Sequence, residues 1–251
     1  GEVRPTPAGT FLIERARRLL FDARSLQRDV ALYSNSELGD LAFGVGPFPA
    51  ATLMPRVLAE LRRSHAQVNL RVEVNNWDAM LERLHAEQIE FFIAEVRALA
   101  PNSTHEIRSL GRQRGGFHVR AGHPLAGKTC TFATAWSYGV AGTRLPPAVK
   151  TALANLLGLT AGSELSLALE CDDVELLQRV ALSSDTILGI TDAAASAAVE
   201  AGTLLPLKIK RMPILYSEMG IVSLRNRSPS PMAGRAIELI IEVAADVNGR
   251  A

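Results

Sequence analysis

The side chains of this 251-residue chain that could do chemistry are few and scattered. His65, His85, His105, His118 and His123 show no pairing at metal-ligand spacing, and isolated histidines of this kind are expected on the surface. Cys130 and Cys171 form no CxxC and have no companion histidine, so reduced packing residues are expected, with redox sensing a subordinate reading. A nucleophile elbow GxSxG, a zinc motif HExxH and a phosphate loop GxxxxGK[ST] are all missing. The nearest approach to an enzyme signature is Gly44-x-Gly46, with Glu73 further on where a ribose-binding carboxylate would stand. Its third glycine position is Pro49, whose ring hinders the close helix packing a dinucleotide site needs. The residues therefore point away from an enzyme, and they imply neither cofactor nor metal.

What remains is binding chemistry, and its position depends on the elements that carry it. Residues 41–45 read as an apolar strand. A Gly/Pro turn follows, then a helix with Leu53, Met54, Val57, Leu58 and Leu61 on its core face. A strand over 68–74, a helix over 78–88 with Met80, Leu81 and Leu84 inward, and a buried strand over 91–94 complete the first half. Strands alternating with helices imply right-handed crossovers and a parallel sheet, hence an α/β fold. The second half repeats the alternation with strands expected at 136–140, 165–169 and 186–190. Between and after them stand a helix opened by Pro146-Pro147, a helix behind a capping box Asp172-x-x-Glu175, and a small-residue helix over 192–201 ended by Gly202. Residues 214–224 carry the chain back, and Ser230-Pro231 starts a last helix with Ile237, Ile240, Ile241 and Ala244 inward. In an open parallel sheet the ligand crevice lies at the carboxyl ends of the strands. That places 46–52, 75–77, Glu95 and Val96 on one wall and 140–143, Thr191 and Asp192 on the other. The helix after the first strand would present its N-terminal amides to a carboxylate or another anion.

Ahead of these elements runs a different pattern. Leu12, Ala16, Leu19, Ala23, Leu26, Val30 and Tyr33 alternate four and three residues apart, a heptad seam with charged positions around it. So thin a stripe covers little of a globular core, and its natural partner is a second copy. The competing reading is an ordinary amphipathic helix lying on its own domain. Thr6-Pro7 fits an N-cap with proline at the first helical position. Residues 34–40 form a polar hinge. Hydrophobic residues make up 47 % and charged residues 21 %, a globular composition. Net charge is +1, and residues 1–33 hold six arginines against four acids, too small an excess for a DNA-gripping face. No run reaches the length a membrane helix needs and no signal peptide is visible, so a cytoplasmic location is expected.

The opening RPTPAG, running into a heptad helix with Ala16-Arg17-Arg18-Leu19-Leu20, resembles the linker helix of LysR-type transcriptional regulators. The segment 39–94 extends the likeness, with Met54-Pro55 opening the first helix, Gln88 standing for a usual glycine and Glu90 for a usual aspartate. Gly122-His123-Pro124-Leu125-Ala126 is similar to the HPLA turn of that family. The resemblance implies a two-lobed effector domain of the periplasmic-binding-protein type II kind behind a long dimerising linker helix. It also implies that the winged helix-turn-helix closed by the motif is absent from this chain, leaving DNA binding to that domain. The expected divisions are 1–38 for helix and hinge, 39–112 with 217–251 for lobe I, and 113–216 for lobe II. The dimerising residues are Leu12, Ala16, Leu19, Ala23, Leu26 and Val30, in a homodimer or homotetramer. A small-molecule effector would lie between the lobes against Pro47, Phe48, Thr52, Asn76, Trp77, Glu95, Val96, Thr143 and Thr191. Phe48 and Trp77 align where the family often has small polar residues, and Thr191 where it commonly has proline. These departures weaken the usual carboxylate clamp. They suggest a flatter, more apolar effector, an aromatic or organic acid that stacks on a ring. The opposing reading is that both rings fill the cleft and bind nothing. The alternative function is a stand-alone solute-binding protein of a transporter, which has no need for a self-pairing seam.

Overall fold

The computed structural model describes residues 5–9, 12, 13, 15, 16, 19, 23, 40–99, 104–159, 165–225 and 227–250. The first half contains β1 (Leu41–Val45), α1 (Pro47–Thr52), α2 (Met54–Ser64), β2 (Leu70–Val74), α3 (Trp77–His85) and β3 (Phe91–Glu95). The long β4 (His105–Arg120) leads to β5 (Thr129–Cys130), α4 (Phe132–Trp136), β6 (Val140–Gly142), α5 (Pro147–Leu156) and β7 (Leu169–Glu170). Then come α6 (Val174–Ser183), β8 (Ile187–Thr191), α7 (Asp192–Glu200), β9 (Leu204–Pro206), β10 (Lys208–Ile209), β11 (Leu215–Leu224) and α8 (Pro231–Arg250).

The main sheet runs β2-β1-β3-β11-β4-β8-β6-β7, with β9 on the far part of β4. β1 is parallel to both β2 and β3, and β6 is parallel to both β7 and β8, as the strand-helix alternation of each half requires. β4 and β11 are antiparallel to one another along most of their length, from Leu224 opposite His105 to Leu215 opposite Gly115. β11 also pairs with β3, while β4 continues on to pair with β8 and β9. These two strands are the crossings between two α/β lobes. The pairing register shifts between Met219 and Gly220, beside Gly111, whose φ of 94° only glycine adopts without strain.

In lobe I the sheet is covered on both faces, which is why β1 and β3 read as near-continuous apolar runs. One face packs Phe43, Val45, Val57, Leu61 and Ile240, with Phe43 stacked on Phe91 at 5.0 Å between ring centroids. The other packs Met80, Leu84, Phe92 and Val222. A Cβ on Gly44 would sit 2.9 Å from that of Phe92 and overlap the Met80 sulfur, so this glycine lets α3 close onto the sheet. Glu73 is held by Arg83 at 2.7 Å, and Pro49 is buried. Gly44 and Glu73, two of the three residues that hinted at a dinucleotide site, thus serve packing and an ion pair.

The front helix begins as Thr6-Pro7 requires: the Gly9 amide donates to Thr6 Oγ1 at 3.1 Å, and the described positions 7–9, 12, 13, 15, 16, 19 and 23 are helical. Leu12 and Leu19 are 67 % and 70 % exposed, so at those positions the apolar edge is not folded down over the lobes. Leu26, Val30 and Tyr33 lie outside the described residues.

Several local expectations are corrected. Residues 132–136 are helical and the strand is confined to 140–142, because the Thr131 hydroxyl accepts from the Thr134 amide and caps a short helix that carries Trp136. Pairing near 165–169 is reduced to Leu169 and Glu170, while Leu165 is buried without strand structure. The cap of α6 is Asp173, whose carboxylate accepts from Leu176 N at 3.0 Å. Asp172 instead accepts from Arg144 N at 3.3 Å. The left-handed position after α3 is Glu87, φ 60°, and not Gln88, whose side chain accepts from Arg83. Glu90 has a structural task, accepting from both the amide and the hydroxyl of Ser230 at 3.1 Å and so fixing the start of α8. Three of the five histidines, His105, His118 and His123, are buried rather than on the surface. His123 does more than shape its turn: Nδ1 accepts from Leu125 N and Nε2 donates to the Asp185 carbonyl, each at 3.0 Å, tying the turn to the approach to β8.

Candidate functional site

The carboxyl ends of β1, β2 and β3 face those of β6 and β8 across a cavity of about 480 Å³. It is lined by Pro47, Phe48, Asn76, Trp77 and Glu95 from lobe I and by Thr143 and Thr191 from lobe II, seven of the nine residues expected from the sequence. The other two stand elsewhere. Thr52 lies on the last turn of α1, where its hydroxyl donates to the Phe48 carbonyl at 2.8 Å, and it faces a second cavity. Val96 turns into the lobe I core, 3.0 Å from where a Cβ on Gly220 would be.

Local chemistry explains how the lining residues are held. Asn76 caps α3, its Oδ1 accepting from Ala79 N at 3.2 Å, which leaves Trp77 at the first helical position on the cleft wall. Thr191 caps α7 in the same way through Ala194 N at 3.3 Å. Glu95 is engaged with Arg97 at 3.2 Å and accepts the Glu218 amide at 2.9 Å, so it braces the crossing strand. The amides expected to hold an anion are largely missing. Pro47 and Pro49 have no N–H, and Ala50 N bonds back to the Gly46 carbonyl, so Phe48 alone of residues 47–49 keeps a donor. On the facing wall Pro146 and Pro147 lack donors too, and the amides of Val149 and Lys150 both return to Pro146 O.

Beyond Val140, which the sequence placed there, the wall of lobe II holds Val149, Leu153 and Leu167, which sequence reasoning did not single out. Val140, Val149, Leu153 and Leu167 line the cavity and also belong to the core that packs Phe117 and Phe132. Val149 and Leu153 are one helical turn apart, and that spacing behind Pro146-Pro147 was the available signal. At the rim, Arg144 of lobe II pairs with Asp78 of lobe I at 3.0 Å, bridging the cleft. Ser217, on the crossing strand β11, is 7 % exposed, and its Oγ has no hydrogen-bond partner among the described residues. Lining and bridging of this kind suit the orientation of a largely apolar small molecule by a few polar groups.

A second cavity of about 880 Å³ shares Gly115, Gly116, Phe117 and Leu215 with the first, and Thr52, Arg56, Arg114, His118 and Asp192 line it further. There burial pushes His118 below the ordinary histidine pKa, opposed by the Asp192 carboxylate 3.5 Å away. Burial likewise pushes the Cys130 thiol up, the opposite of a reactive cysteine. Both cysteines are free thiols. Among the described residues no group of three metal-ligating side chains is assembled, and no helix is long and apolar enough to cross a membrane.

With that geometry in place, the chain can be set beside known proteins. Residues 34–245 match the LysR substrate binding domain family. Over 247 residues the chain is 33 % identical to the SDS degradation transcriptional activation protein of a Pseudomonas species, an alignment covering 96 % of this chain and 79 % of that one. Among solved structures, a putative transcriptional regulator from Vibrio parahaemolyticus superposes with a TM-score of 0.69 at 15 % identity, covering 84 % of this chain and 96 % of that one. The effector binding domain of QuiR in complex with shikimate does so with a TM-score of 0.64 at 15 % identity, covering 84 % and 99 %. The structural likenesses establish the two-lobed fold, and the family match together with the Pseudomonas relative establishes descent: this chain belongs to the LysR family of transcriptional regulators.

Proposed function

We propose that the cleft lined by Pro47, Phe48, Asn76, Trp77, Glu95, Thr143 and Thr191 is the effector site, and that the front helix pairs with a second copy through Leu12, Ala16, Leu19, Ala23, Leu26 and Val30. LysR regulators bind small-molecule effectors, form oligomers and bind DNA through an N-terminal domain, and this chain carries the effector-sensing part of such a regulator. The observation that carries the site assignment is the convergence of strand ends from both lobes on one cavity bridged by Arg144 and Asp78. A ligand touching both lobes prefers one lobe arrangement over another, and that difference in affinity is what shifts a regulator between states. The lobes divide within the crossing strands, with 39–112 and 217–251 in lobe I and 113–216 in lobe II. The regulator works in the cytoplasm, in keeping with its family and its free thiols.

Phe48 and Trp77 give the cleft aromatic faces where polar anchors are sparse, which favours an apolar effector. The Pseudomonas relative is named for SDS degradation, so surfactants and their breakdown products join small aromatic acids as the first candidates. Tryptophan fluorescence titrations of the native chain and of Trp77→Ala test the assignment. A saturable response in the native chain that is lost or weakened about tenfold in the variant supports the site. Identical responses in the two proteins remove Trp77 from it. Light scattering tests the seam: a monomer at micromolar concentration sinks the pairing.

A further inference from the structure

The cavity is not a plain slot between lobes. One wall is the surface of lobe I, but on the other side the cavity enters the core of lobe II, where Val140 and Leu153 are each 2 % exposed and Leu167 packs beside them. An apolar recess of this kind is a poor host for water and a good one for hydrocarbon. The two facing helix ends of α1 and α5 are depleted of donors by Pro47, Pro49, Pro146 and Pro147, leaving the start of α3 at Trp77 as a helix end on the cleft without a proline. Of the cations that line the cavity, Arg97 is committed to Glu95 and the Tyr216 carbonyl. Arg144 is half exposed and shared with Asp78, and Lys150 lies 3.9 Å from Glu170. The lining is therefore graded, from hydrocarbon at the bottom to charge at the mouth.

We propose that the effector is a linear alkyl amphiphile whose chain fills the recess in lobe II and whose anionic head sits at the mouth on Arg144. The assignment rests on the cleft being the effector site and adds the class of ligand and its orientation. Head-up binding follows from desolvation: a charge taken to Leu153 would meet no donor, whereas at the rim it keeps water and a guanidinium. The head competes with Asp78 for Arg144, the bridge between the lobes, so the ligand acts on the contact that sets their spacing. The tail supplies affinity and the head supplies the signal.

The test is calorimetric titration of the full chain with butanoate, hexanoate, octanoate, decanoate and dodecanoate, all below their micelle concentrations, and with decanol. One-to-one binding that tightens about fourfold per added methylene, then levels off as the recess fills, is expected. Leu167→Phe, which narrows the recess, should shorten the best chain, and its unliganded melting temperature shows whether it folds. Leu145→Trp, on the loop before α5 at the edge of the core, provides a second obstruction, its unliganded melting temperature again showing whether it folds. Arg144→Ala should weaken decanoate severalfold and leave decanol unchanged. If small aromatic acids bind with a Trp77-dependent signal while affinity ignores chain length, the cleft stands and the alkyl proposal falls. Chain-length dependence that neither obstruction alters places the chains elsewhere and also overturns it. Decanol binding as tightly as decanoate overturns the anionic head. Absence of any saturable ligand, aromatic or alkyl, fails the cleft and the proposal together.

Discussion

The two lobes are built by the same alternation of strand and helix, yet their cores are closed to different degrees. In lobe I, Phe43 and Phe91 are stacked and 0 % and 1 % exposed and stand clear of the cleft, which touches buried residues of that lobe at Pro49 and Ala94. In lobe II, residues as deep as Val140 and Leu153 are cavity walls. Lobe I has the shape of a rigid platform and lobe II that of a receptacle. Repetition of a topology does not carry repetition of the cavity wall, and lobe II contributes the larger apolar share of it through Val140, Val149, Leu153 and Leu167.

Equal-sized truncations in the two cores test that contrast most strongly. Leu84→Ala, in the closed core of lobe I where the side chain is fully buried, should lower unfolding free energy by about 4–5 kcal/mol in urea denaturation, the high end of its class. Leu153→Ala, beside an existing cavity, should fall at the low end of its class, about 2–3 kcal/mol. Equal losses at the two sites would break the comparison. Helix caps serve as the control, since they should not distinguish the lobes: Asn76→Ala in lobe I and Asp173→Ala in lobe II should each cost about 1 kcal/mol. Asp172→Ala, which is not the cap, should cost less. The bridge between lobes should be weaker still. A double-mutant cycle of Arg144→Ala and Asp78→Ala should return a coupling of about 0.5 kcal/mol, the range of exposed pairs, shrinking with added salt. The slightest effect should be a slope with pH. His118 is held neutral below its ordinary value of 6.5, so the unfolded chain takes up a proton before the folded one does. Stability should therefore be full above about pH 7 and fall as pH drops through 6.5 and below, and His118→Gln should flatten that part of the profile in thermal melts.

Lobe I was legible in the sequence because its strands are buried on both faces and its helices carry long apolar stripes. Residues 41–45 and 91–94 read correctly as strands, and Met54, Val57 and Leu61 as a helical core face, although Pro47–Thr52 form the separate helix α1 where a Gly/Pro turn was expected. Lobe II was less so, because its strands are only two to five residues long and their neighbours mislead. Trp136 and Val140 look like the two ends of one strand, yet Thr131 caps a helix that takes in Trp136 and leaves Val140 to open β6, a threonine-x-x-threonine signal weaker than the aromatic one. Asp172 and Asp173 are both good caps, and only the chain's path chooses between them. Placing binding residues at strand ends recovered seven positions in the cavity. It failed at Val96, where the chain has already turned inward, and at Thr52, one turn beyond the strand-end position. The recess in lobe II escaped because core and cavity wall use the same residue types. Sequence periodicity reports which face is apolar but not whether anything fills the space beside it. Pro47, read as part of a turn, and Pro49, read as an obstacle to a dinucleotide site, carry a further message in the donors they withhold.

The two lobes are joined by β4 and β11 lying edge to edge, hydrogen-bonded from Leu224–His105 to Leu215–Gly115. Two independent tethers would let one lobe slide or swivel freely over the other, whereas a laced ribbon resists sliding in its own plane and gives most readily by flexing across its width. Whatever enters between the lobes thus has essentially one coordinate to push on, and a stimulus of almost any shape emerges as the same hinge-like tilt.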